Sequence, residues 1–370
     1  MKFSCDRQAL CDALSNVSRA VSSKAALPAL EGILLKAQGD KLSLSGYDLE
    51  LGITTSLPAS IEQEGEVILN ARLFSDMARK ISGETLSISC DDKLLTVVNS
   101  GATEFTILGM PASDFPELPS VDSDLSFTLP GAAMKSMIEQ TLFAVAVTDT
   151  KPAHTGTLFE MDESAGQITA VSVDGFRLAM RREKAEIPQN ATFIVPGKTL
   201  SEITKLLKDD DKFVSISLSK KHIVFEIEGY LVISRLLDGE FLDYKNAIPK
   251  NSSTTVTISV REMVESIERV SLLITDRLKS PVRCEFAENE VRLSSATTIG
   301  KATDSFPCET KGNSVEIGFN NKYLLDALKA CQSDQVKLEL SGPLAPMKVV
   351  PMDGDSFLFL VLPVRLKNEN

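Results

Sequence analysis

No stretch of this 370-residue chain approaches 18 consecutive apolar residues, which excludes a membrane-spanning helix. Tryptophan is absent, and His154 and His222 are the only histidines. They stand far apart and form no His-x-x-x-His pair. The six cysteines, Cys5, Cys11, Cys90, Cys284, Cys308 and Cys331, form no Cys-x-x-Cys. A zinc site is therefore not expected, and scattered thiols of this kind are expected to stay free in a reducing cytoplasm. No Walker loop, glycine-rich dinucleotide fingerprint or Gly-x-Ser-x-Gly elbow occurs. Ser217 to Lys220 has Ser-x-x-Lys spacing, but it ends a strand pattern beside Lys221 and lacks companion motifs. Asp209, Asp210 and Asp211 read as a solvated turn after a helix, not as a cation site. With no nucleophile, metal cluster or paired acid and base, the chain is read as non-catalytic, without metal or cofactor. Its first residues, Met-Lys-Phe-Ser-Cys-Asp-Arg, are charged and carry no long apolar segment, so no secretion signal is expected.

What the chain does contain is repetition. Gly166 to Met180 reads GQITAVSVDGFRLAM, and residues 39–52 read GDKLSLSGYDLELG. Asp48 and Asp174, 126 positions apart, occupy the same place after an alternating strand. Around them recurs a fixed order of elements. A short strand leads into a helix pattern whose apolar positions are Leu10, Ala13, Leu14 and Val17 in the first copy. They are Met134, Met137, Ile138 and Leu142 in the second, and Met263, Val264 and Ile267 in the third. A strand pair follows, then a strand running into a second helix at Asn70, Pro196 and Asn320. Asparagine is a good N-cap and proline suits a helix start. Closing strands end each copy. The third copy has lost the Asp-Gly signature to Ala-Thr-Thr-Ile-Gly-Lys. The fold class is therefore α+β, with three repeated modules of two helices and about eight strands. Their boundaries are expected at 1–122, 123–251 and 252–370.

The formal net charge of −12 argues against broad nucleic-acid binding, but the average hides a split. The six helical segments carry a net +5, which leaves −17 on the strands and loops. If the helices share one face, that face attracts a polyanion through Lys and Arg without reading bases. No aromatic stacking platform accompanies these charges, which argues against gripping single strands.

Many short stretches carry a resemblance. They include LPALEGILL, LSLSGYDLEL, MPASDFPELP, VSVDGFRLA, IVPGKTLSEI, DGEFLDYKNAIPKN, IGFNNKYLLDAL and VLPVRL. In this order, from Met1 to Leu366, the chain resembles the bacterial DNA polymerase III beta subunit family, the sliding clamps. Residues 367–370 follow the last matched position.

The resemblance implies a DNA clamp fold. Two copies join head to tail into a six-module ring, with helices lining the hole and sheets outside. Such a homodimer encircles duplex DNA without reading its sequence. It tethers the replicative polymerase, clamp loader and repair proteins through linear peptide motifs. Carried over residue by residue, the peptide groove comprises His154, Val173, Gly175, Phe176, Arg177 and Leu178. From later segments come Leu242, Asn246, Ala247 and Tyr323, then Leu344, Pro346 and Met347. The C-terminal strand adds Val361, Leu362, Pro363, Val364, Arg365 and Leu366. Aliphatic walls and a methionine suit Leu and Phe anchors. Phe176 stands where the family often has a smaller or polar residue, and Leu242 where proline is common. Both keep the site apolar and are expected to alter partner preference. The DNA-facing residues are expected to be Lys24, Arg72, Arg79, Lys80 and Lys198, with Lys151 in a loop that also holds Asp149. The dimer interface is expected to join Phe105 and Ile107 to Leu272 and Leu273. The alternative is a repeat scaffold that binds peptides but not DNA, which predicts a monomer or an open arc.

Overall fold

A computed structural model describes the chain except for residues 23, 149, 150, 209–211, 276 and 367–370. Asp149, the run Asp209, Asp210 and Asp211, and the segment after Leu366 thus lie outside the described residues. Six α-helices are described: α1 (Arg7–Val17), α2 (Ala71–Lys80), α3 (Gly131–Glu139), α4 (Gly197–Leu206), α5 (Val260–Val270) and α6 (Asn321–Lys329). Among the described residues, eight strands fall before residue 122, eight between 123 and 251, and nine after 252.

The helices start where their sequences supply a cap. Asp6 Oδ1 accepts the Ala9 amide at 2.7 Å ahead of α1. Asn70 Oδ1 accepts the Leu73 amide at 3.0 Å ahead of α2. Asn320 Oδ1 accepts the amides of Lys322 at 2.9 Å and Tyr323 at 3.3 Å ahead of α6. Each bond satisfies an amide that the helix itself leaves without a partner. At the corresponding place in the second copy, Pro196 ends a strand and α4 begins at Gly197. The buried face of α1 is Leu10, Ala13, Leu14 and Val17, as the spacing predicts. Met134, Met137 and Ile138 are buried in α3. Leu142 lies beyond it in a 3-10 turn and is half-buried.

The described chain divides into two compact units, and neither coincides with a single module. One comprises Met1–Ala132 with Glu202–Leu236, the other Ala133–Ser201 with Leu237–Asn370. In the first unit, strand Leu51–Gln63 explains the merger. Along one side its residues 52–58 pair with Lys41–Tyr47. On its other side its C-terminal half pairs with Lys2–Asp6, and its N-terminal half with Tyr230–Arg235 of the second module. A 12-stranded sheet therefore crosses the boundary between modules. The second unit repeats the device. Strand Arg177–Lys184 pairs with Phe357–Val361, so a nine-stranded sheet joins the second and third modules. Each unit keeps one edge of interest. Strand Thr103–Leu108 ends the path of the first sheet, and Gly300–Pro307 ends a four-stranded sheet of the second unit.

Candidate functional site

The two similar stretches build the same turn. Asp48 Oδ1 accepts the amides of Glu50 at 3.0 Å and Leu51 at 2.7 Å. Asp174 Oδ1 accepts those of Phe176 at 3.0 Å and Arg177 at 3.1 Å. In both, the residue after the aspartate is left-handed: φ is 77° at Leu49 and 85° at Gly175. Glycine adopts that conformation freely, whereas leucine there is strained. The second copy then adds chemistry that the first lacks. Arg177, buried at 8% exposure, donates from Nε to Asp174 Oδ2 at 2.9 Å and from Nη1 to Asp326 Oδ2 of α6 at 2.5 Å. Its guanidinium carbon lies 4.6 Å from the Tyr323 ring centroid and 5.4 Å from that of Phe143. Phe176, 57% exposed, stacks on Tyr323 at 5.5 Å and 22°.

Strand pairing brings the C-terminal segment to this turn. Val361 sits opposite Arg177 on one side and Met347 on the other. The Leu362 amide donates to the Phe176 carbonyl at 2.9 Å. Farther on, the Val364 amide donates to the Gly318 carbonyl at 2.8 Å. A side chain at Gly318 would meet the Val364 carbonyl at 2.7 Å and Leu366 at 2.6 Å, so glycine is what lets this segment lie flat.

The result is an apolar surface with a closed floor and an exposed rim, all within the second unit. Val173 and Leu178 are buried in the floor, whereas Val361 and Met347, paired in line with Arg177, point to the opposite face of the sheet and are buried in the core of the third module. Val173 and Leu178 pack with Leu158, Tyr244 and Leu360, against which Phe241 lies half-buried. His154 is buried, its ring edge-on to Phe241 at 5.5 Å. Phe176, Leu242, Leu344, Leu362 and Val364 are exposed, an unusual density of large apolar side chains on a surface. Tyr323, Pro346, Pro363 and Leu366 are half-buried, while Asn246, Ala247 and Arg365 are exposed. Asn246 donates to Asp243 at 2.7 Å. Lys151, expected on the DNA face, is exposed and lines a cavity of about 460 Å³ together with Phe241 and Leu242.

Asp174, Asp326, Phe241 and Tyr244 were not expected in the groove, although all four support it. Asp174 carried a signal, being the repeated aspartate itself. The hydroxyl of Tyr244 donates to Glu160, and burial, followed by that carboxylate, pushes its pKa well above the usual tyrosine range.

The basic residues of the first unit lie on or beside its helices. Lys24, Arg72, Arg79 and Lys80 are exposed. Arg79 pairs with Asp76 at 2.7 Å and donates to the Ser75 carbonyl at 3.2 Å. The side chains of Lys24, Arg72 and Lys80 meet no carboxylate among the described residues, so their charge faces solvent. Arg72 and Arg79 line a cleft of about 800 Å³ between α1 and α2, joined by Arg7, which sequence reading missed. Lys198, on α4, is exposed.

At the sheet edges the expected interface residues differ in exposure. Ile107 is 8% exposed and Phe105 is half-buried. Its neighbour Leu108, not anticipated, is 73% exposed. Side chains alternate along a strand, so only one of the two can face outward. In the second unit Leu272 is 80% and Ile299 65% exposed, and Leu273 is half-buried.

No helix among the described residues is long and apolar enough to cross a membrane. Residues 1–119, 128–243 and 245–365 match, in turn, the N-terminal, central and C-terminal domains of the DNA polymerase III beta subunit. The chain is 31% identical to the beta sliding clamp of Bacillus subtilis, covering 99% of this chain and 100% of that one. It is equally 31% identical to that of Staphylococcus aureus, covering 99% of each. The structure of the Bacillus subtilis DNA polymerase sliding clamp superimposes with a TM-score of 0.95 at 30% identity, covering 99% and 100%. That of a beta subunit from Eubacterium rectale gives 0.93 at 32%, covering 98% and 99%. Three consecutive domain matches, and relatives aligned from end to end, establish that the chain belongs to the DNA polymerase III beta subunit family, the bacterial sliding clamps.

Proposed function

We propose that two copies of this chain close head to tail into a ring that encircles duplex DNA in the cytoplasm. The ring holds the replicative polymerase and other partners by peptides seated in the groove around Leu178. It does no chemistry of its own. In this reading the modules are 1–122, 123–251 and 252–370.

The observation that carries the reading is the pair of open sheet edges. Leu51–Gln63 in the first module and Arg177–Lys184 in the second each pair with a closing strand of the next module. Gly300–Pro307 holds the equivalent place in the third module. Thr103–Leu108 holds, in the first, the place of those closing strands. Both are terminal in their sheets. A second copy supplies each with the missing neighbour, and a contact between two different surfaces of this kind generates a closed ring when the rotation closes. The exposed side chains of Leu108, Leu272 and Ile299 suit such a seam.

Contact with DNA is assigned to Lys24, Arg72, Arg79, Lys80 and Lys198, which meet phosphates and leave sequence unread. Retention then comes from topology, and tight affinity would only impede sliding. The chain has no nucleotide-binding loop, so opening falls to an external ATPase.

The test is retention on nicked circular duplex, with a clamp loader and ATP, followed by gel filtration. The protein is expected to travel with the circle and to be released when the circle is linearised. Equal retention on linear DNA, or equally efficient loading without the loader, would overturn the reading.

A further inference from the structure

The C-terminal segment has a second side. Val364, Arg365 and Leu366 also line a cleft of about 780 Å³ bounded by the 277–281 loop and the outer face of the 282–307 strands. Arg277, Lys279, Arg283 and Lys301 line it with Arg365, and among the described residues no carboxylate does. In a chain of net charge −12 this is a conspicuous concentration of one sign.

Only part of that charge is answered inside the protein. Arg283 donates to Glu316 at 2.8 Å, on the neighbouring strand. Arg277, Lys279 and Arg365 are exposed, and their side chains make no ion pair or hydrogen bond with another described residue. The sheet explains the convergence. Arg283 pairs opposite Ser294, which pairs opposite Thr303, and Ala296 lies opposite Lys301, so these residues share the outer face. The side chains of Cys284 and Leu293 point the other way into the core. Residues spread over 89 positions thus surround one concavity.

We propose that this cleft receives the acidic flank of a partner peptide whose apolar motif occupies the groove. The inference rests on the groove assignment above and deepens it. Continuity carries it, because Val364 belongs to the groove rim and to the cleft, and a chain passing it leaves apolar surface for cationic surface. Flexible basic side chains around an open cleft suit Asp and Glu side chains at the rim of an interface, where they raise the association rate and select the partner. Peptides carrying the same apolar anchors would then be ranked by the charge beside them.

The test titrates the full-length protein calorimetrically with two peptides. Both contain Gln-Leu-x-Leu-Phe; one has Gly-Ser flanks, and the other has three Asp or Glu residues at each end. The acidic peptide is expected to bind roughly tenfold more tightly at low salt, the factor that two or three exposed charge pairs supply. That gain is expected to vanish in 0.5 M NaCl, about the range where the screening length drops well below 10 Å. It is also expected to vanish in Arg277→Ala/Lys279→Ala, while the neutral peptide binds wild type and variant alike. Arg277 and Lys279 are exposed loop residues, so the variant keeps its fold. Equal binding of both peptides to the wild type, or an undiminished gain in the variant, would overturn the proposal and leave the groove intact. Failure of both peptides to bind would overturn the groove assignment and the cleft with it. If a short single-stranded oligonucleotide binds at Arg277 and Lys279 while the acidic flank adds nothing, the cleft belongs to nucleic acid and the peptide proposal fails.

Discussion

Arg177 and Asp326 lie 149 positions apart in sequence and meet at 2.5 Å, tying the Asp174 turn to helix α6. The same guanidinium holds Asp174 and lies against the Tyr323 ring, so one side chain fixes the wall on which Phe176 stacks. Arg177→Ala leaves two carboxylates without their cation. It is expected to destabilise the second unit by about 3 kcal/mol, typical for breaking a buried pair, and to abolish peptide binding. Arg177→Lys is expected to rescue little, because an ammonium cannot make the forked contact or lie flat on a ring. Thermal unfolding and calorimetry on both variants check this, and a fully active lysine variant would sink it.

Phe176 is exposed and held mainly by its stack on Tyr323. Phe176→Ala is expected to leave the melting temperature unchanged. It should weaken a Gln-Leu-x-Leu-Phe peptide by about 1 kcal/mol, the worth of one aromatic contact. Leu178→Asp puts a charge into the buried floor and is expected to remove binding altogether.

Leu108 and Ile107 separate two roles that adjacent residues seldom divide so sharply. Leu108→Asp and Leu272→Asp are expected to yield folded monomers in sedimentation and to end retention on circular DNA. Ile107→Ala is expected instead to lower thermal stability by about 2–4 kcal/mol through a core cavity. If Leu108→Asp remained dimeric, the assigned edge would be wrong.

Tyr244 gives a pH dependence at the alkaline end. Its pKa is raised in the folded state, so the neutral hydroxyl bonded to Glu160 contributes stability fully below the unfolded value near 10. That contribution is lost as pH rises from there through the higher folded value. Tyr244→Phe is expected to cost about 1.5–3 kcal/mol at pH 8, the range for a hydrogen bond to a charged partner. Its stability should then change less between pH 9 and 11 than that of the wild type. Parallel loss in both proteins would assign the alkaline transition elsewhere.

Much of this was legible in the sequence. Helical spacing exposed the buried face of α1, and Asn70 and Asn320 marked where α2 and α6 begin. The repeat of Asp48 at Asp174 pointed to one turn built twice. Other features were not legible, because they depend on pairing between distant strands. Phe-Thr-Ile-Leu contains apolar residues on both faces of its strand, so alternation alone could not decide whether Ile107 or Leu108 points inward. That Lys151 and Leu242 line one cavity is likewise visible only in the fold. Arg277, Lys279, Arg283, Lys301 and Arg365 form no run that a charge pattern would reveal. Nor does the sequence say that a sheet passes through a module boundary, since nothing local in Leu51–Gln63 announces Tyr230–Arg235 as its neighbour.

The dual pairing of Leu51–Gln63 bears on where an assembled ring would yield. Its seam to the second module is spanned by continuous backbone, and so is the seam between Arg177–Lys184 and Phe357–Val361. If either ladder parts, its halves stay tethered and face each other at high effective concentration, so they re-form at once. A seam between two chains would be tethered only through the ring's other seam. In the proposed ring, the contact between chains would therefore be the weaker hinge, and opening there would depend on the chemistry of the two facing strands alone.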